Sequence, residues 1–192
     1  MSFSTGEQAL AALGALGHKL DERGTVPVSL LMCGGAALNI SGLLTRLTAD
    51  VDVLGAMHAH GELGEMPEWI YPLAAEVAEE LGLERHWLND AAASVTSMGL
   101  PSGILLRATR HEFGKTLQVA IISRLDLIAL KCFAALNPGV REKHLGDLVD
   151  LNPLSEEMSF ACDWLLNRPT SPEFRAAVRQ LCDVLGHSDI VI

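Results

Sequence analysis

The chain has 192 residues, 49% of them apolar but only 5% aromatic, and four cysteines. That length suits one domain, or one domain with a helical extension. A net charge of −10 argues against broad, non-specific DNA binding, and no apolar run is long enough to span a bilayer.

Much of the apolar content is alanine, which favours helix over sheet. Cys33, Cys132, Cys162 and Cys182 are far apart and form no CxxC pair. They read as reduced, buried thiols of a cytosolic protein and not as a zinc site. The segment Met1 to Glu7 lacks the basic start and apolar centre of a signal peptide, so the expected location is cytoplasmic.

In chain order, Gly6 to Arg23 places Leu10, Leu13, Leu16 and Leu20 at helical spacing, and Gly24 stops the helix. Val28 to Cys33 is an apolar run that reads as a buried strand. Gly34 and Gly35 follow at once, where a missing Cβ lets the backbone turn and approach a ligand closely. Ala36 to Leu44 reads as a short helix, and Thr48 to Leu54 as a second strand.

Asp50 and Asp52 are two apart in that strand, a spacing that puts both carboxylates on one face. Paired like charges raise each other's pKa unless a cation lies between them. Hard oxygen ligands on a rigid strand suit Mg²⁺, which takes one or two carboxylates together with phosphate oxygens. The glycine turn enters a helix N-terminus, where free N–H groups favour phosphate. One strand–turn–helix–strand unit therefore offers a phosphate cradle and a metal seat, a combination that fits phosphoryl or nucleotidyl transfer. The plainer alternative is a solvated strand face beside an ordinary turn.

Ala56 to Pro67 carries His58, His60, Glu62 and Glu65 and reads as an exposed loop, since imidazole matches a Mg²⁺ site poorly. Leu73 to Leu83 reads as a helix with a solvated acidic face. Trp87 to Asp90 precedes a short helix that Asn89 or Asp90 caps. Ile104 to Thr109 and Thr116 to Ile122 read as strands of a hairpin turning through His111 to Lys115. Ser123 caps the next helix, Arg124 to Leu136, with Asp126 in its first turn. A helix over Val140 to Leu151 follows. Asn152 and Pro153 then open a helix to Asn167, and Ser171 and Pro172 open a last one to about Leu185. The tail beyond Gly186 fits an edge strand or a surface covered by a partner. Residues 101–145 hold seven Lys and Arg against three Asp and Glu, which is either a local basic surface or unrelated surface charge.

The string Gly34-Gly35, Arg46, Thr48, Asp50, Asp52 resembles the DNA polymerase β-like nucleotidyltransferase superfamily. It is most similar to small bacterial proteins related to AbiEii-type nucleotidyltransferases, which also carry a string like Trp87-Leu88-Asn89-Asp90. The resemblance implies a mixed α/β (α+β) nucleotidyltransferase fold, a small mixed sheet flanked by helices, over residues 1–122. A C-terminal helical part over residues 123–192 would pack on it. It implies Mg²⁺, or Mn²⁺, held by Asp50 and Asp52, with triphosphate bound by Gly34, Gly35, Arg46 and Thr48.

Leu127, Lys131 and Ala134 match the family's helical "LxxxKxxA" string. Arg141, Asp147, Asp150 and Leu151 match most of "R…KD..DL", with Lys143 out of place. By this resemblance Lys131 and Asp147 join the active site, with Lys143 and His144 nearby. On the residues alone they read equally as solvent-facing charges and helical i,i+4 pairs such as Lys143 with Asp147. The implied activity moves an NMP from a nucleoside triphosphate to a hydroxyl on an RNA end or a protein. The implied setting is toxin–antitoxin or phage defence, with an antitoxin-type protein partner and no membrane. One departure stands out: the strand from Leu117 to Ile122 lacks the third carboxylate that such proteins bring beside the first two. That leaves a two-carboxylate site, a site completed from elsewhere, or an inactive module.

Overall fold

A computed structural model describes residues 2–58 and 61–192. The fold is mixed α/β, as the sequence implies: a mixed sheet flanked by helices and then a helical segment. The chain divides into two compact units, the first ending at Ser123 and the second running from Arg124 to Ile192. No helix among the described residues is long and apolar enough to cross a membrane.

The first unit opens with α1 (Gly6–Arg23). The Thr5 side chain caps it by accepting from the Gln8 N–H, and Gly24 ends it in the left-handed conformation. Strand β1 (Val28–Cys33) runs through the middle of the sheet. It leads without a linker into α2 (Gly34–Ile40). β2 (Val51–Met57) lies antiparallel to β1. Beyond β2 stand two short strands, β3 (Leu63–Gly64) at its end and β4 (Leu88–Asn89) at its start. On the other side of β1, β6 (Leu117–Ile121) pairs parallel to it, and β5 (Thr109–Phe113) closes that edge antiparallel to β6. The order is β3-β2-β1-β6-β5. β1, flanked on both sides, is almost wholly apolar, as a central strand must be.

Helix α3 (Ile70–Leu81) buries Ile70, Leu73, Ala74, Val77 and Ala78. Its acidic side is not simply solvated. Glu80 meets Lys19 of α1 at 2.6 Å, and Glu76 meets Arg23 at 3.1 Å. Trp87 is fully buried; its indole N–H donates to the Ala74 carbonyl at 2.8 Å, and its ring meets the edge of Phe3. Asp21 of α1 accepts from the Thr116 hydroxyl and the Lys115 N–H. Those bonds, the Thr116 hydroxyl's first, hold its carboxyl below the usual carboxylate range.

Several elements differ from the sequence reading. Thr48 does not begin β2. Its backbone pairs with Phe3 instead, N–H to carbonyl in both directions, so the strand starts at Val51 and Asp50 lies just before it. α2 ends at Ile40, because the N–H groups of Leu43 and Leu44 turn back onto the Leu38 carbonyl. The presumed loop after β2 is partly strand, with β3 paired to Ala56 and Met57; His60 lies outside the described residues. The segment after Asp90 is a 3-10 helix, Ala91–Met98. Residues Ile104–Arg107 form a short helix, α4, and the hairpin strand begins later, at Thr109. Glu112 therefore lies within β5 and not in a turn.

The second unit is helical: α5 (Arg124–Ala135), α6 (Arg141–Leu151), α7 (Ser155–Leu166) and α8 (Pro172–Val184). Its core includes Ile128, Cys132, Leu148, Met158, Leu165 and Val178. Asn152 closes α6 in the left-handed conformation, which asparagine tolerates, and does not open α7. The start of α7 is held by Glu157, which accepts from the Leu154 N–H at 2.9 Å and from Arg124 at 2.8 Å. Burial pushes the Glu157 carboxyl up, but Arg124 and that N–H together bring it below its ordinary value. Ser171 caps α8 by accepting from the Phe174 N–H at 3.2 Å, with Pro172 at the first helical position. The tail forms no strand.

Candidate functional site

The residues singled out in the first half of the sequence meet where β1 ends and β2 begins. Gly34 has φ +78°, a conformation that side chains resist, and a Cβ there would collide with the Asp52 carboxylate. The glycine thus lets the backbone lie directly against that acid. A Cβ on Gly35 would come within 2.9 Å of the Thr48 hydroxyl and 3.5 Å of the Arg46 guanidinium carbon. The Thr48 hydroxyl donates to Asp50 Oδ1 at 3.0 Å. Gly34, Gly35, Arg46, Thr48, Asp50 and Asp52 therefore form one contiguous cluster.

Two of these placements are fixed by residues the sequence reading did not assign to the site. Asn39 of α2, itself buried, clamps the Arg46 backbone: its amide donates to the Arg46 carbonyl at 2.8 Å and accepts from the Arg46 N–H at 3.1 Å. A polar residue inside an otherwise apolar short helix is the signal that could have found it. Asn89 of β4 stands opposite Asp52 across the sheet, while its side chain accepts from the Ala91 N–H at 3.0 Å.

Asp52 also lies opposite Cys33 of β1. Ser29, Leu31 and Cys33 alternate onto one face of that strand, so Asp52 shares their face. Leu54 is an extra residue in β2 at the bulge between the Leu31–Gly55 and Met32–Val53 pairs. The bulge bends the strand close to the two acids. Asp50 and Asp52 are both half-buried.

Among the described residues, no third carboxylate joins them. β6 carries none, and Glu112 of β5 is turned to Gln118, whose amide donates to it at 2.6 Å. Among the described residues, no group of three or more His, Cys, Asp or Glu could hold a metal ion. The oxygen donors present fit a Mg²⁺ ion that takes two carboxylates and completes its shell with water and phosphate. They do not fit an all-protein cage.

Lys131 and Asp147 occupy the second unit, on α5 and α6, and there they hold each other. Lys131 Nζ lies 2.5 Å from Asp147 Oδ2, both residues are buried, and His144 Nδ1 lies 3.5 Å from the same amine. Asp147 thus pairs with Lys131 and not with its helical neighbour Lys143. Asp150, three residues on, is exposed.

Comparison with protein-family models, with curated proteins and with solved structures gives no match to this chain.

Proposed function

We propose that the first unit binds a nucleoside triphosphate with Mg²⁺ and transfers its NMP to a hydroxyl acceptor. The acceptor oxygen forms the new bond to the α-phosphorus, and the bond to pyrophosphate breaks. The observation that carries this reading is the gathering of two glycines, an arginine, a threonine and two aspartates at one strand end. Asp50 and Asp52 would hold the metal; Mn²⁺ meets the same oxygen set. Bound there, it would stabilise charge on the phosphoryl oxygens and orient them. Gly34 and Gly35 would meet phosphate oxygens through their backbone N–H groups, and Arg46 would offset the phosphate charge. Thr48 holds Asp50 in place through its hydroxyl.

The acceptor class is an RNA end or a protein, in a toxin–antitoxin or phage-defence setting with a protein antitoxin as partner. A second reading is favoured by the missing third acid: the same cluster binds nucleotide without turning it over. Incubation with α-labelled nucleoside triphosphates, total cellular RNA and Mg²⁺ separates the two. Label on RNA or protein that disappears in Asp52→Ala supports transfer. Saturable binding without label supports the non-catalytic module. Neither binding nor label contradicts both.

A further inference from the structure

One cavity of the first unit lies away from its carboxylate cluster. It measures about 930 Å³ and opens beside Ser29. Ser29 and Cys33 are four residues apart, so along β1 the cavity is about 13 Å from the position opposite Asp52, on the same face. Its volume is in the range typical of sites that enclose a small organic ligand.

The floor is polar and ordered. Ser29 Oγ donates to Gln118 Oε1 at 2.8 Å, and Gln118 Nε2 donates to Glu112 Oε1 at 2.6 Å. This chain fixes the direction of the serine hydroxyl and leaves its oxygen free to accept. The walls are mostly apolar, formed by Met57, Leu63, Leu100, Ile104 and Leu105, with His58 and Thr96 among them. Arg110 of β5 also lines the cavity. No carboxylate of the described residues lies within ion-pair distance of it. Arg110 stands two strands from Ser29 and two residues further along, in register with Ala120 and Leu31, while Glu112 is the residue directly across from Ser29; at ordinary strand spacings Arg110 is about 12 Å away.

An acceptor at one end, an unpaired planar cation at the other and apolar walls between them specify a ligand. We propose that this cavity binds a small organic acid with a flat apolar body, its carboxylate on Arg110 and a hydroxyl or N–H donor on Ser29. The guanidinium fork matches a carboxylate in two parallel bonds. Arg110 is the one guanidinium or ammonium among the described lining residues, beside the His58 imidazole, and one such cation suits one negative charge and not a polyphosphate. The site is independent of the nucleotide reading, and either can fail without the other.

The test is a fluorescence and calorimetric titration of the full chain. The probe is a hydroxynaphthoate whose hydroxyl and carboxylate stand at opposite ends of the ring system. Its methyl ester lacks the charge, and plain naphthoate lacks the donor. The acid is expected to saturate at one per chain, with each comparison compound about tenfold weaker or more. Arg110→Gln should erase the preference for acid over ester while keeping that for the hydroxyl. Ser29→Ala should do the reverse. Arg110 is exposed, so its variant is expected to fold, and a thermal melt checks this. No saturation at millimolar probe overturns the proposal, as does equal affinity for acid and ester, or an acid preference that survives Arg110→Gln.

Discussion

The two units treat acid and base in opposite ways. At the end of β1 the aspartates are half-buried, and glycine lets the backbone pack directly against one of them. Between α5 and α6, Asp147 is 6% exposed and Lys131 5%, and the two are in direct contact. A carboxylate that a bend in the chain leaves approachable is available to a cation from outside. A carboxylate matched by a buried ammonium is part of the packing, because removing either partner strands a charge in a poorly solvated interior. The same residue types in a helical motif read as a site in the sequence, and in the second unit they are a buried, directly paired base and acid.

The largest effect that would break this contrast is in stability. Lys131→Ala is expected to destabilise the second unit by about 3–5 kcal/mol by taking the buried ammonium away from the Asp147 carboxylate. The double variant Lys131→Met, Asp147→Leu should recover most of that loss. Denaturant unfolding measures both. If Lys131→Ala is neutral, the pair is not a packing element and the contrast fails.

A covalent tie sharpens the same point. Cys162 of α7 and Cys182 of α8 are buried with their sulfurs 3.3 Å apart. The two thiols share a hydrogen bond in which either can donate, and that bond, with burial, pushes the Cys162 thiol above the ordinary thiol range. Treatment with the thiol oxidant diamide should join them, with loss of two hydrogens by mass. Closing that loop is expected to stabilise the unit by about 3 kcal/mol. Cys162→Ser should block the link, and no link after prolonged oxidation would show that the pair does not come together.

A smaller effect concerns pH. The folded Glu157 carboxyl sits below its ordinary value of about 4.3. Its contribution is therefore complete above that value and is lost as pH falls through the lower, folded value. Glu157→Gln should lower stability at neutral pH by about 1–3 kcal/mol, with a difference from the parent that shrinks below about pH 4. Unfolding curves over that range check it. A difference that is constant with pH would assign the effect to shape and not to charge.

Long, periodic elements were legible in the sequence. α1 runs from Gly6 to Arg23 as its leucine spacing and Gly24 predict, and Ser171 with Pro172 opens α8. The glycine and aspartate cluster was legible as a set of residues, yet its geometry was not. Asp50 left the strand because Thr48 pairs with Phe3, a contact across more than forty residues that no local pattern encodes. The strand at Thr109–Phe113 was shifted because Gly103 and Pro101 start a helical turn where alternation suggested a strand. Asn152 was assigned to the wrong helix end, since the same residue type suits both ends. Lys131 and Asp147 were found together, but only burial on two helices tells a structural pair from a ligand-facing one.

The central claim is that Gly34 lets the Asp52 carboxylate stand at the β1–α2 turn in the position that the proposed Mg²⁺ and nucleotide site requires. Calorimetric titration of ATP with and without Mg²⁺ tests it, on the parent chain, on Asp52→Asn and on Gly34→Ala, whose added methyl would displace that carboxylate. The account predicts Mg²⁺-dependent binding in the parent and a loss of about tenfold or more in each variant, with the thermal transition of Asp52→Asn retained. Binding that is absent in the parent, indifferent to Mg²⁺, or unchanged in Asp52→Asn would contradict it.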